Sequence, residues 1–95
     1  MGKDAPVVKI ELDKTRHLRV DFNGLAAFEE ETGKAVEDIG TGMSVTELRA
    51  LVWALLLHED PELSVRDVGA MLHPGNVQAI EEAVQESFAD FAKND

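Results

Sequence analysis

The sequence contains no cysteine, which excludes disulfide bonds, thiolate metal sites and cysteine nucleophiles together. It also lacks a long apolar run: its most apolar stretch, residues 50–57, has eight residues, whereas a membrane-spanning helix needs about 20. Residues 1–6 contain no apolar run of signal-peptide length. We therefore expect a cytoplasmic protein without a membrane segment.

Basic residues are scarce relative to acidic ones. The 95 residues include 9 Lys and Arg against 19 Asp and Glu, a formal net charge of −10. Between residues 51 and 95 the only bases are Arg66 and Lys93. Such a surface repels phosphate backbones and anionic lipid, so we expect neither nucleic acid nor a membrane as a partner. The length fits one domain, residues 1–95.

Sequence signatures of catalysis are also missing. There is no glycine-rich phosphate loop, no GxSxG motif and no HExxH motif. Carboxylates are abundant, but acid–base catalysis needs burial to raise their pKa values. The three glutamates at residues 29–31 lie on a helix face that is predicted to be exposed to solvent. His58, Glu59, Asp60 and Glu62 supply possible metal ligands, yet consecutive residues at a helix end point in different directions. We therefore expect that the chain is not an enzyme and that it has neither a cofactor nor a metal site.

The first third of the chain predicts a loose tail followed by a β-hairpin. Residues 1–6 form the predicted tail, and residues 7–22 the predicted hairpin. Val8, Ile10 and Leu12 alternate with charged residues, and the alternation resumes after a polar loop at residues 14–16. The second alternating run consists of Leu18, Val20 and Phe22. A lone hairpin is marginally stable in water, so its apolar face is expected to pack on helices.

Residues 23–92 are predicted to be helical. Asn23 is placed to cap a first helix that ends at Gly33. Residues 34–39 predict another turn or two of helix, and residues 40–42 predict a loop. Ser44 and Glu47 form the spacing of a capping box before an apolar helix from Ser44 to about His58. No face of that helix is polar between residues 50 and 57, so it should be covered on most sides.

Two more helices complete the predicted fold. Pro61 is expected to stop the apolar helix, and Ser64 with Asp67 suggests a cap for a short one. Asn76 is expected to cap the last helix, whose apolar stripe comprises Val77, Ile80, Val84, Phe88 and Phe91. The fold class is thus α+β, predominantly α, with an N-terminal β-hairpin packed on a compact bundle of four to five helices.

Four apolar residues are candidates for contact with a partner protein: Trp53, Met71, Phe88 and Phe91. Trp53, the only tryptophan, is most simply a core residue with its N–H near an edge, although tryptophan is also enriched in interfaces. Phe88 and Phe91 belong to a terminal amphipathic helix that packs either on its own domain or on a neighbouring subunit. The sequence does not decide between these two interpretations.

Two segments carry a family resemblance. A predicted strand pair is followed by residues 25–33, LAAFEEETG, and then by residues 47–64, ELRALVWALLLHEDPELS, with Val68 and Gly69 shortly after. From about Val8 to Val84 the chain resembles the small tail assembly chaperones of long-tailed bacteriophages, together with related short proteins of prophages and gene transfer agents. The motif of a leucine-rich helix with one tryptophan before His-Glu-Asp-Pro carries most of this likeness.

The resemblance implies a function without catalysis. Members of this family are thought to coat the tape-measure protein before tail-tube subunits polymerise around it, and then to leave. The resemblance therefore implies a tape-measure protein and a tail-tube protein as partners, and self-association into a homo-oligomer. Two alternatives stay open: a structural virion component, such as a tail-tube or head–tail connector subunit, and a small acidic regulator or inhibitor.

Overall fold

The computed structural model describes residues 7–38 and 43–93. The described residues form an antiparallel hairpin and four α-helices, which confirms the predicted α+β, mainly α class. The predicted tail at residues 1–6 and the predicted loop at residues 40–42 lie outside the described residues. The elements in chain order are β1 Val8–Glu11, β2 Thr15–Leu18, α1 Phe22–Thr32, a 3-10 turn Val36–Asp38, α2 Val45–Leu56, α3 Val65–Gly69 and α4 Val77–Lys93.

The hairpin is shorter than the predicted span of residues 7–22. Val8 pairs with Leu18 and Ile10 with Arg16, and the side chains of all four residues are buried. Burial of Val8, Ile10 and Leu18 follows the predicted alternation. The position of Arg16 does not: it was predicted to lie in the loop, but it belongs to β2 and faces the core.

The boundary between the hairpin and α1 corrects two predictions. Asp21, not Asn23, caps α1: its Oδ1 accepts a hydrogen bond from the Gly24 N–H at 2.8 Å. Because the cap at Asp21 starts the helix at Phe22, the strand alternation stops after Val20. Val20 is therefore buried, whereas Phe22 is 78% exposed and does not face the core. Gly33 ends α1 in the left-handed conformation, as predicted.

Helix α2 is the buried centre of the fold. The predicted capping box is present, with the Glu47 N–H donating to Ser44 Oγ at 3.1 Å and the Ser44 N–H to Glu47 Oε1 at 3.0 Å. Seven of its 12 residues are buried, which confirms that this helix is covered on most sides. The helix ends at Leu56, and so the chain has left helical geometry before Pro61 can constrain it.

Three elements cover α2. Helix α1 packs along it, α3 and β2 contact it as well, and α4 packs on the hairpin. Phe28 of α1, Leu18 of β2 and Val68 of α3 are fully buried in the resulting core. Ile80 and Val84 of the predicted α4 stripe lie in the same core and Val77 and Phe88 pack against it, whereas Phe91 is exposed.

The short helix α3 and the start of α4 differ in how they are capped. Ser64 and Asp67 form a complete capping box for α3, a stronger cap than the sequence suggested. Asn76 does not cap α4 with its side chain as predicted. Its Oδ1 accepts from the His73 N–H and its Nδ2 donates to the Met71 carbonyl, both at 2.9 Å. These bonds stabilise the turn that precedes α4.

Within the described ranges, no helix is both long enough and apolar enough to cross a bilayer.

The closest helix contact supplies a test of this packing. A Cβ at Gly24 would lie 2.9 Å from the Ala54 carbonyl oxygen of α2. We expect Gly24→Ala to lower the free energy of unfolding by about 1–3 kcal/mol, because α1 must move away from α2. Urea unfolding followed by circular dichroism measures the change. A stabilisation of about 1 kcal/mol, which helix propensity alone predicts, would show that the two helices are not this close.

Candidate protein-binding surface

The predicted partner residue Trp53 lies at the edge of the core. Its side chain is partly buried and packs against the core residues, and its Nε1–H donates to the Leu63 carbonyl at 2.8 Å. The indole therefore fastens the segment after α2 to the helix itself. This arrangement favours the interpretation of Trp53 as a core residue whose polar group is satisfied at an edge.

Phe91, by contrast, belongs to an exposed pair of aromatic rings. Its ring centroid lies 6.3 Å from that of Phe22, and the two planes are tilted by 59°. Phe91 is 37% exposed and Phe22 78%. We call these two residues the aromatic patch. Phe88, one turn earlier in α4, is partly buried against the core, so the two candidates on this helix have different surroundings.

A second exposed apolar surface lies where the N-terminal ends of α2 and α4 meet. We call it the apolar groove; it encloses about 340 Å³ and is lined by Val45, Leu48, Leu72, His73, Pro74 and Val77. Val45 is the first residue of α2 and is 83% exposed. Met71, the remaining predicted residue, is partly buried and directly precedes the residues of the groove.

Of the four predicted residues, only Phe91 belongs to one of these two exposed surfaces. Val77 in the groove and Phe91 in the aromatic patch are separated by 14 positions of α4, which is about 21 Å along a helix axis. Sequence reasoning also missed the two most exposed residues. Phe22 was assigned to the buried face of a strand, and the exposure of Val45 follows only from its place in the first turn of α2.

The segment after α2 is attached to the hairpin through charged groups. Arg16 is buried, with Nε 2.7 Å from Asp13 Oδ1 and Nη1 3.3 Å from Asp60 Oδ2. Glu59 accepts the His17 N–H at 3.0 Å through Oε2. Glu59 and Asp60, two of the candidate metal ligands, are therefore used in structural contacts. Across residues 7–38 and 43–93, no three His, Asp or Glu side chains are grouped to hold a metal ion.

Hydrogen bonds and ion pairs shift the pKa values of these groups. The Arg16 guanidinium donates to Asp13, and this lowers the pKa of the Asp13 carboxyl to about 2. The same hydrogen bond raises the pKa of Arg16. At the start of α2, the Lys34 ammonium lowers the pKa of Glu47 by donating to its carboxylate. These carboxylates are thus held in the ionised form, which suits ion pairs and not proton donation.

Comparison with known proteins gives no match: no protein-family model, no curated protein and no solved structure is similar to the chain. The resemblance to tail assembly chaperones therefore rests on the sequence segments quoted above.

The exposure of Phe22 leads to a prediction about the two phenylalanines of α1. Phe28 is fully buried in the same helix, and we expect Phe28→Ala to destabilise the domain by about 3–5 kcal/mol. Phe22→Ala should cost less than about 1 kcal/mol, because little of its surface is removed from water. Chemical denaturation of both variants makes the comparison. Equal losses would contradict the placement of Phe22 on the surface.

The low pKa of Asp13 predicts a dependence of stability on pH. A carboxyl whose pKa is lowered on folding stabilises the fold above its unfolded value of 3.8, and this contribution disappears as pH falls towards the folded value of about 2. We therefore expect Asp13→Asn to be less stable than the wild type at neutral pH, with the difference shrinking between pH 3.8 and 2.

Urea titrations across that range measure the difference, and Glu30→Gln is the control. Glu30 is an exposed carboxylate of α1, so its replacement should change stability by less than about 0.5 kcal/mol at every pH. If the Asp13→Asn difference stays constant down to pH 2, the Arg16 contact is not the cause.

Proposed function

We propose that this chain is a non-catalytic protein-binding domain that acts as a tail assembly chaperone of the long-tailed-phage type in the bacterial cytoplasm. In this role it keeps a tape-measure protein soluble and helps recruit tail-tube subunits. The observation that carries the proposal is the exposure of apolar side chains at both ends of α4, at Val45 in the apolar groove and at Phe22 and Phe91 in the aromatic patch.

The apolar groove has the chemistry that such a partner needs. Its lining is almost entirely apolar, with His73 as its one ionisable residue. A shallow apolar groove accepts the apolar face of an amphipathic helix, and the resemblance implies a long helical partner. We therefore assign the groove to an apolar helical segment of the tape-measure protein.

The separation of the apolar groove from the aromatic patch supports a mode of binding in which one partner contacts both surfaces, each with low affinity. A partner that contacts both the groove and the aromatic patch binds more tightly than either contact allows, because the second contact becomes intramolecular. Modest affinity at each contact also allows tail-tube subunits to displace the chaperone. Self-association of the chaperone along its partner would increase the number of such contacts further.

The charge of the domain supports a solubilising role. At a net charge of −10, copies bound along one partner repel other loaded complexes and oppose their aggregation. The hairpin is evidence against the alternative of a tail-tube subunit, because its strands have only four residues each. A closed ring of strands needs more β structure from every subunit.

Co-expression with a phage tape-measure protein from the genome that encodes this chain tests the proposal. We expect the wild-type chain to copurify with the tape-measure protein and to increase its soluble fraction. Val45→Asp should reduce the copurified amount about tenfold, because it places a charge in the groove and removes about 1.5 kcal/mol or more of apolar burial. The folded domain should tolerate the change, since an acidic residue in the first turn of a helix is favourable.

Thr46→Asp is the matched control, because it adds the same charge at the next residue of α2, which does not line the groove. Equal binding by the two variants would exclude the groove as the site. If the wild-type chain neither binds nor solubilises the tape-measure protein, the proposed function is wrong. Recovery of this protein in stoichiometric amounts from purified particles would instead favour a structural virion component.

A further inference from the structure

The two edges of the hairpin differ in their hydrogen bonding, and outward backbone groups of β2 bond to other parts of the chain. The His17 N–H donates to Glu59 Oε2 at 3.0 Å, and His58 Nε2 lies 2.7 Å from the His17 carbonyl oxygen. Directly after the strand, the Arg19 N–H donates to the Leu55 carbonyl at 3.1 Å. The end of α2 and the residues after it therefore provide partners for the outward backbone groups of His17 and for the N–H of Arg19.

The pairing register shows which groups of β1 point outward. Lys9 lies opposite His17, and since the backbone groups of His17 point away from β1, this is a non-hydrogen-bonded pair. The N–H and carbonyl of Lys9, and by alternation those of Glu11, then point away from β2. The Leu12 N–H donates to the Lys14 carbonyl at 2.9 Å, in phase with this alternation.

The outward groups of β1 have no partner within the described ranges. No hydrogen bond from residues 7–38 or 43–93 reaches the backbone N–H or carbonyl groups of Lys9 and Glu11. Unpaired strand edges of this kind are templates on which another extended chain can add as a strand. The side chains of Lys9 and Glu11 are exposed, whereas Val8 and Ile10 between them are buried.

Beside this edge lies a groove that we call the β1 groove. It encloses about 500 Å³ between β1 and one side of α4, with Ala79, Ile80 and Ala83 among the residues that line it. Glu82 and Glu86 of α4 also line it, together with Glu11 and a single base, Lys9. A strand added to β1 would therefore lie alongside carboxylates, which favour basic side chains on that strand.

From these observations we infer that β1 binds an extended basic segment of another protein by strand addition. Its backbone pairs with the outward N–H and carbonyl groups of Lys9 and Glu11, and alternate Lys or Arg side chains contact Glu82 and Glu86 of α4. This inference rests on the strand edge and its charge, and it does not depend on the proposed function.

A second copy of this chain fits the β1 groove less well. Antiparallel pairing of two β1 strands about Ile10 would place each Lys9 opposite the other copy's Glu11, which is favourable. The same symmetry would bring the Glu82 and Glu86 side chains of both copies together, with no additional base in either groove. Repulsion among these carboxylates favours a basic partner over self-pairing.

A synthetic peptide in which lysine alternates with valine tests the inference on the full chain. In an NMR titration we expect the peptide to slow amide exchange at Lys9 and Glu11, and the same peptide with glutamate in place of lysine not to bind. Glu11→Pro should raise the Kd about tenfold relative to Glu11→Ala. Both variants lose the carboxylate and its bond to Thr15, but only proline removes the outward N–H.

Charge is tested by a second pair of variants with equal net charge. Replacing both Glu82 and Glu86 with Gln should raise the Kd about fivefold, as the loss of two exposed ion pairs predicts. The same replacement at Glu29 and Glu30, which are exposed on α1, should leave it within about twofold. If the two double variants weaken binding equally, only the overall charge attracts the peptide and the assigned groove is wrong.

The peptide itself supplies a check that does not depend on folding of the proline variant. Methylation of alternate backbone nitrogens on the side facing β1 should abolish binding, and methylation of the other set should not. Equal binding of both methylated peptides would overturn strand addition. Protection of Lys9 and Glu11 that rises with protein concentration in the absence of peptide would show that a second copy occupies the edge, and would also overturn the inference.

Discussion

The burial of α2 is the constraint on which the rest of this structure depends. A helix without a polar face must be covered from several directions, and α1, α3 and β2 all contact α2. Helix α1 approaches so closely that only glycine fits at position 24. The hairpin and α3 close other sides. Because α2 uses the inner faces of its neighbours, exposed apolar side chains such as Val45 and Phe22 lie at the ends of elements.

Features set by local sequence could be predicted. The α2 capping box, the left-handed Gly33 and the buried face of β1 each follow from a few adjacent residues, and the structure contains all three. The mainly helical class followed from the same patterns. The exposed carboxylates of α1 also lie where the helical period placed them.

Features that depend on contacts distant in sequence could not be predicted. Arg16 is buried because Asp60, 44 positions away, helps to satisfy its guanidinium. The exposure of Phe22 has a local cause instead: Asp21 competes with Asn23 as the helix cap and starts α1 at Phe22. The two edges of the hairpin differ because Leu55, near the end of α2, and Glu59, which follows α2, accept hydrogen bonds from β2 and the residue after it. Trp53 and Phe88, two of the four predicted partner residues, are partly buried because they pack against core residues from other parts of the chain.

Helix α2 is the structural centre of the domain. Amide hydrogen exchange measured residue by residue tests this claim most directly. We predict that residues 51–56 exchange only through global unfolding, with free energies within about 1 kcal/mol of the value from urea unfolding. If these residues exchange through local openings whose free energy is several kcal/mol below that of global unfolding, while the hairpin amides stay protected, α2 is not the structural centre.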